Sequence, residues 1–208
     1  MLGSVISLFD KTGNAVRPWA EAGYACICYD IQHVGTRREG NITYAHWDAL
    51  SETLDVHGDI AFVFAFPPCT HLAVSGARWF KGKGLRLLAQ SIEMFAAAAE
   101  FCEASGAPYL IENPVSTIST YWRKPDHNFH PWHYTAFEPD DNYTKQTCLW
   151  TGGGFVMPER NALDGLPKPD NRIHAAPPSD DRADFRSATP MGFTRAVFEA
   201  NNFAASLA

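Results

Sequence analysis

Four short apolar runs, VISLF (5–9), YACICYD (24–30), IAFVFAF (60–66) and PYLIEN (108–113), decide most of what this chain can fold into. Each is continuous rather than alternating and rich in β-branched or aromatic residues, the pattern of a strand buried on both faces of a parallel sheet. Between them lie AVRPWAEAG (15–23), the stretch around 48–54, and LRLLAQSIEMFAAAAEFCEASG (85–106). The last combines good helix formers with a glycine stop signal. Strand alternating with helix predicts an α/β protein with a doubly wound, mostly parallel sheet. Cys26 and Cys28, two apart in one strand, share a face as small core residues.

The chain of 208 residues, 46% hydrophobic, is long enough to bury one good core and reads as a single domain, residues 1–208. No run approaches the length of a bilayer-spanning helix, and MLGSVISLFD lacks the basic segment and cleavage site of a secretory signal, so a cytoplasmic location is expected. Five cysteines without CxxC spacing argue against a disulfide framework and against a cysteine zinc site. A net charge of −6 excludes a protein coated for nucleic acid but leaves room for a local basic surface.

Two places along these strands carry chemistry. In FAFPPCTHLAVSGARWFKGKG, two prolines force the chain out of the sheet at Pro67, so Cys69 sits on a loop just past a strand's carboxyl end. Open α/β sheets bind ligands at that edge. The competing assignment is an ordinary buried cysteine. In SLFDKTGNAVRPWAEAGYACICYD, a strand enters a glycine-containing turn and a helix, and a second strand ends on Asp30. Backbone can approach a nucleotide-type cofactor near Gly13, and Asp30 can accept hydrogen bonds from a ribose diol; a plain turn or helix-cap aspartate is the simpler alternative. After residue 114 the character changes to DHNFHPWHY, the strand YTKQTCLWTGG, a Pro, Asp and Gly-rich stretch, and a final helix across 194–207.

The motifs LFDKTGN, YDIQ, HWD, FPPCTHLAVSG and YLIENP, in this order and spacing over residues 4–114, resemble the cytosine-C5 DNA methyltransferases, especially short phage-type members without a full target-recognition domain. The resemblance implies a Rossmann-like class I S-adenosylmethionine-dependent methyltransferase fold. It departs from the usual pattern at Lys11 and Asn14, which replace glycines of the first turn, at Thr70 and His71, which replace Gln-Gly, and at Pro114, which replaces valine. Gly13 and Gly76 are retained. A PPC loop and a Glu-Asn pair about forty residues apart, both after predicted strands, form a specific joint signal.

Carbon 5 of cytosine is a poor nucleophile, and addition of a thiolate at carbon 6 makes it able to attack an electrophilic methyl group. Cys69 is the expected nucleophile. Glu112 is the expected acid at N3, with Asn113 orienting the loop or the base edge. S-adenosylmethionine would lie against Phe9, Asp10, Lys11, Thr12 and Gly13, with its ribose on Asp30, its adenine by Ile31, Trp47 and Asp48, and Pro67 beside it. Pro68 would face the cytosine. The cluster Arg78, Lys81, Lys83 and Arg86 reads either as a phosphate-binding patch or as a solvated loop. Arg78 is a candidate for the cytosine carbonyl. The family's usual arginine comes from a later strand, and here YTKQTCLW offers Lys145, Gln146 and Thr147 instead, with Thr147 on the substrate side. His127, His130 and His133 fall at intervals of three, but Pro131 and Trp132 interrupt any helix and no usual metal spacing is completed, so no metal is expected.

The resemblance divides the domain into a cofactor and catalytic core (1–114), a loop-rich reduced target-recognition region (115–187) and a C-terminal helix (188–208). Between the late strand and the last helix lie only about forty residues, expected to be too few for a core of their own. Reading a duplex requires a groove-reading surface besides a pocket for the flipped base. Three functions therefore stand: a minimal DNA methylase of short specificity, a methylase of a free cytosine nucleotide such as dCMP, and an inactive cofactor-binding or DNA-mimic protein.

Overall fold

A computed structural model describes residues 2–175 and 186–202 of the chain. The chain separates into two compact units, one of residues 1–127 and 147–155, the other of residues 128–146 and 156–208. Eight strands form one sheet: β1 (Ser4–Leu8), β2 (Ala25–Asp30), β3 (Thr36–Glu39), β4 (Ile42–His46), β5 (Ile60–Ala65), β6 (Tyr109–Pro114), β7 (His127–Phe129) and β8 (Thr147–Gly152). Their order is β3-β4-β2-β1-β5-β6-β8-β7. Pairs β1/β2, β1/β5, β2/β4 and β5/β6 are parallel, whereas β6/β8 and β3/β4 are antiparallel. The expected Rossmann-like, doubly wound, mostly parallel sheet is the observed one. From β1 the chain winds outward to β2 and β4, then returns to β5 on the other side of β1. That reversal leaves a crevice at the carboxyl ends of β1 and β5, where such sheets bind ligands.

Both faces of the sheet are covered. One face carries Ile6, Leu8, Val63, Ala65 and Ile111, which pack with Phe95, Ala98 and Cys102 of the helix Leu85–Ser105. That helix ends on Gly106 at φ 64, as its stop signal predicts. On alternate strand positions Phe62 lies 5.2 Å from Trp19 and 4.6 Å from Phe64, and all three are almost wholly buried. Trp19 comes from the short helix Arg17–Glu21. A fully buried aromatic or aliphatic side chain contributes roughly 1.5–3 kcal/mol, so these two layers provide the main stabilisation of the sheet. Cys26 and Cys28 are both buried, as expected of small core residues.

Three local expectations change. Residues 48–54 form a turn rather than a helix, because Asp48 accepts from Leu50 N at 3.0 Å and Ser51 Oγ at 2.9 Å and closes the chain on itself. A hairpin, β3 and β4, lies between β2 and β5 where the sequence pattern predicts no strand. The last helix runs Met191–Asn201, starting before 194, and residues 203–207 of the expected helix lie outside the described residues.

The second unit has a core that draws on residues outside the short stretch between β8 and the last helix. Residues before β8 join those after it: Phe129 stacks on Phe193 at 3.8 Å, and Tyr134 lies 5.3 Å from Phe193, all three buried. Asp141 Oδ2 accepts from Gly192 N at 2.7 Å at the start of the last helix, and burial raises its carboxyl to about 6. Asn201 closes the other end of that helix on Val156, whose N–H it accepts and whose carbonyl it donates to.

Gly153, at φ 61, turns β8 so tightly that a Cβ would meet Ala107 O at 1.8 Å, while its neighbour Gly154, at φ 85, faces open space. Gly153→Ala should therefore lower the urea unfolding free energy by more than the roughly 1–3 kcal/mol of a strained backbone alone, and Gly154→Ala by no more than that. Equal losses would refute the close approach.

Candidate active site

The site is organised by what the strand ends carry. At the end of β1, Phe9 adopts φ 58, a left-handed conformation that is unusual for a bulky residue. It turns the chain so that Asp10 N donates to Tyr29 O of β2 at 3.1 Å. Phe9 rests on Trp47, ring centres 5.0 Å apart. The Asp10 carboxylate, buried, then closes the turn: Oδ1 accepts from Gly13 N at 2.7 Å, Thr12 N at 3.0 Å and Thr12 Oγ1 at 3.2 Å, and Oδ2 accepts from Ser7 Oγ at 2.8 Å. Cys28 Sγ lies 3.9 Å from the same Oδ2, and burial followed by the charge of Asp10 pushes its thiol well up. The amides of Thr12 and Gly13, expected to face a ligand, are thus turned inward to an internal anion. Gly13 is needed for another reason as well, since a Cβ there would meet the Tyr44 hydroxyl at 2.6 Å.

Tyr44 and His33 carry no sequence signal that marks them as site residues. Tyr44 donates to Thr12 O at 3.3 Å, and a His33 ring nitrogen lies 3.1 Å from Asp10 O, so both brace the turn from the β2–β4 side. Lys11 is exposed on the outside of the turn. At the end of β2, buried Asp30 accepts from Gln32 N through Oδ1 at 2.8 Å, which commits one of the two oxygens expected to serve a ribose diol to the local turn. Ile31 beside it is 58% exposed. Asp48 spends its oxygens on Leu50 and Ser51, and those hydrogen bonds hold its carboxyl below the usual range; it is the organiser of its own turn rather than a group presented to an adenine.

The cysteine loop leaves β5 and is gripped at once by β6. Phe66 N donates to Leu8 O at 3.0 Å, and the buried Asn113 then donates from Nδ2 to Pro67 O at 2.9 Å. Past the cysteine, Leu72 N and Ala73 N donate to Cys69 O, forming a tight turn. Val74 N donates to Val115 O at 3.0 Å and Thr117 N to Leu72 O at 3.1 Å, with Ala73 bridged to Ser116. The segment after Cys69 is thus laced to the segment after Glu112. Because β5 and β6 are parallel neighbours, with Ala65 opposite Ile111, Cys69 and Glu112 emerge from the same edge of the sheet. Cys69 and Glu112 are partly exposed, Pro67 is buried and Pro68 exposed.

The expected cations differ in what they touch. Arg78 lies exposed over the Trp79 ring, 5.0 Å from its centre. Lys83 folds back to donate to Thr70 O at 2.5 Å, which corrects its reading as a phosphate ligand alone: it also holds the cysteine loop. Lys81 and Arg86 are exposed. Thr147 is buried opposite Pro114, so it serves the β6/β8 pair and is withdrawn from any open surface. Cys148, next to it, has its thiol pushed up by burial and then by the nearby Glu112 carboxylate. Among the described residues no group of three or more His, Cys, Asp and Glu is placed to hold a metal. In the second unit, His133 is buried, accepts from His130 N, and is driven to about 4 by burial and the neighbouring charges of Arg160 and His130.

The other four cysteines are buried, which sets up a direct test of the loop's tether. In native protein one thiol of five should react quickly with Ellman's reagent, and it should be Cys69. Asn113→Ala, which leaves the Pro67 carbonyl without its buried donor at a cost of about 1–3 kcal/mol, should quicken that reaction. An unchanged rate would mean that Asn113 does not hold the loop.

No protein-family model matches this sequence, and no curated protein matches it. Among solved structures, the chain is similar to the glycopeptide N-methyltransferase MtfA, at 13% identity and a TM-score of 0.33, over 62% of this chain and 53% of that one. The same enzyme complexed with S-adenosyl-L-methionine and with sinefungin gives TM-scores of 0.31, each at 13% identity over 62% of this chain and about half of the other. No helix among the described residues is long and apolar enough to cross a membrane.

Proposed function

We propose that this protein transfers a methyl group from S-adenosylmethionine to carbon 5 of a cytosine in DNA, through a transient bond between Cys69 and carbon 6 of the base. The observation that carries the reading is the lacing of the two loops: Asn113 holds Pro67, and the chain after Cys69 is bonded to the chain after Glu112, so a thiol and a carboxyl group share one sheet edge. Both groups are partly open to a ligand, whereas the remaining cysteines are not. A structural Asn would serve any loop; a thiol and an acid displayed together on either side of it suit addition to a pyrimidine.

The residues at the ends of β1, β2 and β4 fit the cofactor at its nucleoside end. Asp30 is buried with one oxygen committed to Gln32, leaving the other to accept from a ribose hydroxyl. Exposed Ile31, with Phe9 against Trp47, gives an apolar seat beside it for a purine ring. The turn amides are held by Asp10, so the amino-acid end would have to rely on side chains of that turn, such as exposed Lys11. When bound, S-adenosylmethionine supplies an electrophilic methyl group.

In this scheme the Cys69 thiolate adds to carbon 6 and the ring electrons move toward carbon 5, while Glu112 delivers a proton to N3 so that negative charge does not build up on the ring. Asn113 fixes the distance between the attacking loop and the acid, which is where orientation contributes to the rate. Carbon 5 takes the methyl group as its bond to the sulfonium sulfur would break, the electron pair staying on sulfur so that S-adenosylhomocysteine is left; a water removes the proton that carbon 5 still carries, and the electrons left behind reform the ring double bond as the thiolate departs. Glu112 recovers its proton from N3. Every proton and electron pair is accounted for without a metal.

Incubation with methyl-labelled S-adenosylmethionine should place label in DNA. Cys69→Ser should abolish transfer, and Glu112→Gln should lower kcat, because its shape is kept while its proton is lost. Asp30→Ala should raise the KM for S-adenosylmethionine with a smaller effect on kcat. Label in dCMP but not in DNA would contradict the substrate, and undiminished transfer by Cys69→Ser would contradict the mechanism.

A further inference from the structure

We propose, on the basis of the cytosine-methylating reading above, that the surface beside Cys69 receives an unpaired strand of nucleic acid, whose bases stack on Trp79 and Trp122, rather than a duplex. Several independent features of the first unit meet there. Residues 66–92 contain four cations, Arg78, Lys81, Lys83 and Arg86, and not one carboxylate, in a chain whose net charge is −6. Positive charge is therefore concentrated at the one loop that carries the nucleophile.

Aromatic rings are exposed on this segment and on the one that follows β6. Trp79 is 61% exposed, Tyr121 67% and Trp122 41%, whereas Trp19, Trp47 and Trp150 of this unit are buried. The two exposed indoles each carry a guanidinium: Arg78 at 5.0 Å from the Trp79 ring centre and Arg123 at 4.6 Å from that of Trp122. A partly exposed indole beside an arginine is a platform for a flat, anionic ligand, and stacking on such rings tolerates any base; Trp122 is seated edge-on against Phe95, ring centres 5.7 Å apart. Both platforms start from the lacing described above. The 3-10 helix Val74–Trp79 follows Ala73, and the one-turn helix Ile118–Tyr121 follows the bridged Ser116 and Thr117.

Between these segments lies a cavity of about 340 Å³, walled by Phe80, Leu85, Leu88 and Thr117, with Lys81 and Lys83 at its side. This is a volume at the lower end of the range for small-ligand pockets, about 300–1,000 Å³. His71 and Thr117, both lining it, each carry a polar atom, Nδ1 and Oγ1, that has no hydrogen-bond partner in the protein. An unstacked base brings an apolar face to such a wall. A stacked duplex withholds the base faces, because its bases present only their edges in the grooves. The elements that bear the rings are a 3-10 helix and single helical turns, with no long helix or ribbon among them to enter a major groove.

The test uses the full chain carrying Cys69→Ser, so that binding is read without turnover, and a fluorescently labelled single strand of about 20 nucleotides containing cytosine, longer than the site of one single-strand-binding fold. Anisotropy titration should give binding at least tenfold tighter than to the matching duplex at the same salt concentration. Trp79→Ala, at an exposed position, should weaken single-strand binding about tenfold or more with an unchanged circular dichroism spectrum, and Trp79→Phe should restore part of it. Replacing Lys81 and Arg86 together by Gln should flatten the slope against log salt by about 0.7 per lost contact. Equal or tighter duplex binding, or single-strand affinity indifferent to Trp79, would overturn the proposal. If wild-type enzyme methylates duplex DNA while single strands bind no better, this inference fails and the methyl-transfer reading stands. Tight single-strand binding without any label transfer would instead support the binding surface and contradict the methyl-transfer reading.

Discussion

One hydrogen bond between neighbouring strands fixes what the first unit can do. The Asn113 amide donates to Pro67 O at 2.9 Å from a fully buried position, across the pair of strands that deliver the thiol and the acid. Pro67 needs such a partner more than most residues would. Neither Pro67 nor Pro68 has an N–H to continue the ladder, so the chain leaves the sheet there and the Pro67 carbonyl takes its donor from a side chain. Asn113 fills that gap, and the lacing from Leu72 to Thr117 extends it beyond the cysteine. The cysteine loop is consequently held at both ends of its exposed residues, the property that the proposed nucleophile requires.

A second anchor works electrostatically. Asp10 puts a carboxylate at the end of β1, where it collects the amides of Thr12 and Gly13 and the hydroxyls of Ser7 and Thr12. Charge-assisted hydrogen bonds of this kind hold a turn in shape without any ligand. Lys11 and Asn14 are accommodated in this turn because neither position needs to bring backbone close to a ligand when the amides already face inward. Tyr44 and His33 complete the brace.

Much of this is legible in residue order, and the reasons for success and failure are physical. Runs such as IAFVFAF lie between two helical layers, so burial on both faces marks them unmistakably, and the helix Leu85–Ser105 has both its formers and its glycine stop. The β3 strand TRRE is exposed at all four positions and has no apolar signature to detect. The core of the second unit draws Phe129 and Tyr134 from before β8 and Phe193 from well after it, and no local window joins them. In the site, Cys69 follows β5 while Glu112 and Asn113 lie in the last half of β6, and all three are found by position. The inward turn of the Thr12 and Gly13 amides depends on a carboxylate orientation that residue type alone does not specify, and Tyr44 arrives from a strand with no clear sequence signal.

Covalent attachment of Cys69 to the pyrimidine is the step on which the proposed chemistry depends. A cytosine carrying fluorine at carbon 5 accepts the thiol and the methyl group, but fluorine cannot depart as a cation, so the final elimination is blocked and the protein stays attached. Mass spectrometry of protease-digested protein, after incubation with a 5-fluorocytosine oligonucleotide and S-adenosylmethionine, should find the modified base on the peptide containing Cys69. No adduct from an enzyme that methylates ordinary cytosine, or an adduct on Cys26, Cys28, Cys102 or Cys148, would contradict the account.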